Sequence, residues 1–162
     1  MVSREVISKA IRFGVAMLVL ISISLILAAP GPKVCNAIAC VTLSDSNFKL
    51  DVSNWDEAVG KETRIWGQIA LIILSVAFAL FPLIQAFTRP TATFEIGTCV
   101  LSAFVMIICG GVEIWYATGF GLFKDAEVTI NVQGWSAAAA FFFLSAILYG
   151  IDAFLVYRNK KQ

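Results

Sequence analysis

The sequence predicts an all-α membrane protein, a four-transmembrane-helix bundle forming a single domain over residues 1–162. Three observations carry that expectation. Four hydrophobic stretches, at about 13–29 (or from Ile7), 65–87, 94–117 and 134–157, have lengths suited to a hydrocarbon core ~30 Å thick, a helix rising 1.5 Å per residue. Composition agrees: 59% of residues are hydrophobic and 14% charged, against about a quarter charged in a soluble domain. The connecting segments are too short to hold a separate soluble core.

The first stretch follows a basic head, MVSREVISKAIR, with Arg4, Lys9 and Arg12 against one acid, Glu5. A basic head before an apolar run also suits a signal peptide, but this run exceeds the usual h-region, so it reads as an uncleaved helix. Pro30, Gly31 and Pro32 stop it, because proline cannot continue the hydrogen-bond ladder. In the loop that follows, Val41 and Leu43, then Phe48, Leu50 and Val52, alternate with polar residues around a turn-rich SDSN, a hairpin pattern. Pro82 sits near the far end of the second span and is expected to kink it. The TRPTAT link is so short that spans two and three must be antiparallel neighbours. After span three, Val128, Ile130 and Val132 alternate again. Loops one and three leave the same face, so this strand is expected to pair with the first loop in a small sheet outside the membrane.

Orientation follows from charge. Four spans put both termini on one side, where the head, the short link and the tail hold seven Lys and Arg residues: Arg4, Lys9, Arg12, Arg89, Arg158, Lys160 and Lys161. The two longer opposite loops hold five, so the positive-inside rule places both termini in the cytoplasm. Trp66, Trp115-Tyr116 and Trp135 fall at one interface and Tyr157 at the other, as an aromatic belt would require. The long loops then face an oxidising space, where a Cys35–Cys40 disulfide is expected.

The sequence offers little chemistry. A net charge of +1 leaves no electrostatic footprint for nucleic acid. Without histidine the chain lacks the commonest general base and metal ligand. No catalytic, cofactor-binding or metal-binding residues are expected, and the chain reads as non-enzymatic. Two intramembrane acids stand out, because charge inside a span is costly. Asp152 has no visible relay partner and reads as a polar contact to a neighbouring helix. Glu113 lies near the outer interface, within reach of water or Arg64. Cys99 and Cys109 read as small packing residues, with Cys99 also a site for reversible acylation. Ala139, Ala146, Gly150 and Ala153 form a small-residue stripe, bordered by the row Ala138, Ser145 and Asp152. Such a seam lets helices approach closely in lipid, inside the bundle or in a homo- or hetero-oligomer with other membrane proteins.

The run AAAAFFFLSAILY (137–149) followed by DAFLVYR (152–158) resembles the fourth helix of MARVEL-domain proteins, and the plan of basic head, tight inner loop and two outer loops is similar too. The resemblance implies roles in membrane apposition, vesicle transport or cell junctions, at the plasma membrane or in endomembranes, and no catalytic residues. Claudins share the topology and a sheet built from both outer loops. Their first-loop Trp–Gly-Leu-Trp–Cys–Cys signature is not matched, since Trp55 follows both cysteines here.

Overall fold

The computed structural model describes residues 4–28, 32–35, 39–42, 64–88, 90–118 and 129–160. Its elements are α1 (Arg4–Ala28), β1 (Pro32–Cys35), β2 (Cys40–Thr42), α2 (Arg64–Thr88), α3 (Ala92–Ala117), β3 (Thr129–Val132) and α4 (Gln133–Lys160). All four helices are long and apolar enough to cross a membrane. The helices α2 and α3 keep their expected bounds to within two residues, and α4 runs on to Lys160. The correction is to α1, which begins at Arg4 rather than at 13 or Ile7. Its first turns are polar by composition but helical: Ser8 and Arg12 turn into the bundle, while Glu5 and Lys9 stay exposed.

Packing follows a heptad-like register. On α1 the buried positions are Ser8, Arg12, Val15, Val19, Ser22 and Ile26, alternating by four and three. That spacing keeps one stripe facing its neighbours, as in a left-handed bundle. The helix α4 makes the closest associations, with α3 and α1, while α2 packs less tightly against α1 and α3. Large apolar side chains such as Ile73, Phe87, Phe104, Ile147 and Phe154 point outward. An apolar periphery around a partly polar interior is the arrangement lipid demands.

Pro82 shows how the fold repairs a local defect. A proline at 82 removes the amide that would bond the carbonyl of Phe78. The Tyr149 hydroxyl reaches across from α4 and donates to Phe78 O and Ala79 O, each at 3.2 Å. Two glycines mark close approaches: a Cβ at Gly110 would meet the Phe143 ring at 3.0 Å, and one at Gly67 would fall on the Tyr116 hydroxyl.

At the end away from the termini, the strands form an antiparallel sheet in the order β2-β1-β3. β1 pairs with β2 through Lys33–Thr42, Val34–Val41 and Cys35–Cys40, and with β3 through Pro32–Val132 to Cys35–Thr129. Loops one and three thus meet in a sheet, but its central strand is Pro32–Cys35, where the sequence shows only a helix stop. The expected second hairpin strand, around Phe48, Leu50 and Val52, lies outside the described residues. Val132 is fully buried and leads without a linker into α4, so the sheet is seated on the bundle. Trp135 and Tyr116 stand at this level but face inward. The Trp135 indole donates to Ile26 O at 3.0 Å, satisfying a carbonyl left free at the end of α1, and meets the Tyr116 ring edge-on. Trp115 is exposed, as a belt residue would be, and the Trp66 side chain lies outside the description.

Candidate functional site

Arg12 is the centre of the site. It lies on the buried stripe of α1, two turns inside the helix, with no exposed surface. Its Nε donates to Asp152 Oδ2 on α4 at 2.6 Å, and its Nη2 donates to Glu95 Oε1 on α3 at 2.5 Å. Its Nη1 donates to Pro82 O on α2 at 3.2 Å. A single guanidinium, with its planar fork of donors, therefore joins all four helices. Ser8, one turn before Arg12, donates to Asp152 Oδ1 at 2.5 Å, and the Cys99 thiol donates to Asp152 Oδ2 at 3.3 Å.

The arrangement satisfies both partners. Asp152 is fully buried, and each of its oxygens accepts a bond. A charge deep in a bundle is tolerated only when paired and hydrogen-bonded in this way. The expectation that Asp152 contacts a neighbouring helix agrees with this geometry, but the expectation that nothing stands near it in a relay does not. Arg12 was read as part of a basic head at the membrane surface. Its true neighbours are 83 and 140 residues away, which is why no local pattern announced the cluster. One signal was present: Ser8 and Arg12 fall on the same 3–4 stripe as Val15, Val19 and Ile26.

Beyond the ionic cluster, toward the ends of the helices that carry the termini, a cavity of about 350 Å³ opens. Glu5, Lys9, Arg12, Gln85 and Glu95 contribute to its wall. Gln85 accepts from the Thr98 hydroxyl at 2.6 Å through Oε1, while its buried Nε2 has no partner among the described residues.

Glu113 is also fully buried, near the opposite end of α3. Its described partner is Gln68, whose amide donates to Glu113 Oε1 at 3.4 Å. The expected reach to Arg64 falls on a side chain outside the description. Along α3, Cys99 and Glu113 are about 21 Å apart at 1.5 Å per residue. Val19, Leu71, Val105, Met106 and Phe142 are buried in the core between these levels.

The remaining sequence candidates are placed as follows. Ala139, Ala146 and Ala153 are buried inside the bundle, as are Ala138 and Ser145, whereas Gly150 is exposed at the edge of that face with open space beside it. Cys99 and Cys109 are free and buried, so Cys99 is not presented for acylation. Cys35 and Cys40 are opposed across the β1–β2 ladder. Among the described residues no group of His, Cys, Asp and Glu side chains is arranged to hold a metal ion. Comparison with protein-family models, with curated proteins and with solved structures returns no match.

Proposed function

We propose that the chain is a non-enzymatic organiser of membrane patches, acting in vesicle trafficking or at cell junctions. The observation that carries this reading is the Arg12 cluster, in which one side chain ties α1 to α2, α3 and α4. The strongest polar chemistry in the spans is used to hold helices together. That leaves the lipid-facing surfaces and the outer sheet for contacts with other membrane proteins. A MARVEL-like organiser and a claudin-like adhesion component both fit this plan.

In the orientation we favour, both termini are cytoplasmic. Arg12 leaves the charge count because it is buried, so six basic residues face five. The bias remains, since the two opposing loops are longer. With the sheet then on the oxidising side, a Cys35–Cys40 disulfide closes the β1–β2 turn. Supporting it is the direct opposition of the two residues across the ladder.

A second reading, a small transporter or proton-coupled subunit using Asp152, is favoured by one observation: a cavity opens onto the Arg12–Glu95 pair. Imaging a tagged chain in polarised cells, together with flux measurements on Asp152→Asn in proteoliposomes, separates the two. The organiser reading expects enrichment at junctions or vesicles, and oligomers weakened in the variant without change in flux. Even distribution of the chain, with flux that disappears in the variant, would establish the transporter instead.

A further inference from the structure

The terminal-end cavity has features that the ionic cluster does not use, and together they describe a ligand. Its wall carries both signs of charge, Glu5 and Lys9 from α1 and Glu95 from α3. At its floor the cluster is unbalanced. Arg12 supplies one positive charge against the two carboxylates Asp152 and Glu95. Asp152 is fully enclosed, but the Glu95 side chain remains 21% exposed, so the excess negative charge is accessible from the cavity. Against it stand two donors, the exposed Lys9 ammonium and the buried Gln85 Nε2, which bonds nothing among the described residues. A buried amide donor without a partner is rare and points to a missing acceptor.

We propose that this cavity binds the headgroup of a phospholipid that carries a primary amine and a phosphate, an ethanolamine-type zwitterion. The ammonium sits against Glu95 and Glu5, and the phosphate accepts from Lys9 and Gln85. A primary ammonium offers three donors to the carboxylates. A quaternary ammonium offers none and is held by aromatic faces, yet no aromatic side chain is among the cavity's lining residues. A serine headgroup would bring an additional carboxylate beside Glu5 and Glu95. The volume, about 350 Å³, falls in the range of roughly 300–1,000 Å³ typical of small-molecule sites.

A lipid, rather than a free zwitterion, is favoured by the neighbouring surface. A second cavity of about 280 Å³ lies between α2 and α3, lined by Ala77, Phe78, Phe81, Thr98 and Leu101 and almost wholly apolar. Thr98 lines this cavity and Gln85 lines the first, and the two are joined by their hydrogen bond. A headgroup in the first cavity thus has a separate apolar cavity for part of an acyl chain on the far side of the Gln85–Thr98 pair.

The test is a lipid titration of the full chain in detergent, read by native mass spectrometry, with dioleoyl phosphatidylethanolamine, phosphatidylcholine, phosphatidylserine and free phosphoethanolamine as probes. The ethanolamine lipid is expected to be retained about tenfold over the choline lipid, and Gln85→Leu and Lys9→Ala each to lower its retention about fivefold or more, the loss of one hydrogen bond to a charged group. Thermal unfolding of each variant reports whether the bundle is intact. Because Lys9 is exposed, Lys9→Ala keeps the test decisive if Gln85→Leu does not fold. Equal retention of choline and ethanolamine lipids, or ethanolamine retention indifferent to Lys9→Ala in the folded protein, overturns the proposal. Binding of free phosphoethanolamine as tight as that of the lipid overturns the lipid assignment.

Discussion

Arg12 shows how a single residue can be misread when depth is judged from composition. In sequence it closes a basic head that reads as marking the membrane surface. In the fold it is 0% exposed and pairs with Asp152 and Glu95. The physical reason is that helix α1 starts eight residues before Arg12, so the side chain enters the bundle on the buried stripe. A buried ion pair is often no more stabilising than a well-packed apolar pair, because both charges must be desolvated, but removing one partner leaves a stranded charge that costs about 3–5 kcal/mol. Arg12→Met, which strands Asp152, is therefore expected to destabilise the bundle by about that amount, and Asp152→Leu by less, because Arg12 keeps its pair with Glu95. The double variant is expected to be more stable than either single variant, because no enclosed charge is left unpaired and Glu95 can turn toward the cavity. Denaturant titration in micelles, followed by tryptophan fluorescence, measures the three differences, and additive losses would show that Arg12 and Asp152 do not act as a pair.

Among the elements, α2 carries the most informative defect. Hydropathy places its bounds well, and Pro82 visibly predicts a break in its ladder. What the sequence could not show is that the break is filled from α4 by Tyr149, 71 residues away from Phe78. The small-residue seam of α4 was legible in the same partial way. Spacing alone finds Ala139, Ala146 and Ala153, but Gly150 lies just past the edge of the buried arc. Tyr149→Phe is expected to cost about 1–3 kcal/mol, since it leaves the part-buried Phe78 carbonyl without a donor. In a Pro82→Ala background the penalty should shrink to under about 1 kcal/mol, because the restored amide of residue 82 can bond Phe78 O directly. Thermal unfolding of the four proteins in one double-mutant cycle measures this coupling, and an equal cost of Tyr149→Phe in both backgrounds would refute the repair.

For the whole molecule, the four spans were legible because lipid imposes one dominant rule, long apolar helices, in a chain whose residues are 59% hydrophobic. The features that distinguish this bundle were not legible, because they join distant residues: Arg12 with Glu95 and Asp152 at one end, and Pro32–Cys35 with Thr129–Val132 at the other. The alternation at 128–132 marked β3 correctly, but its partner strand holds a proline and no clear alternation. Sheet and bundle form one rigid body only if β3 transmits order into α4, and the buried Val132 followed at once by Gln133 provides that join. A proline in β3 removes an amide from the ladder and should unzip it from β1. In Ile130→Pro, amide hydrogens of residues 33–35 are expected to lose their slow exchange, while those in the middle of α4, around residues 145–150, stay protected. Exchange read by mass spectrometry in micelles decides the matter. Loss of protection throughout α4 would mean that the sheet is needed for the bundle to fold. Slow exchange persisting in β1 would mean that β1 is held by contacts other than β3.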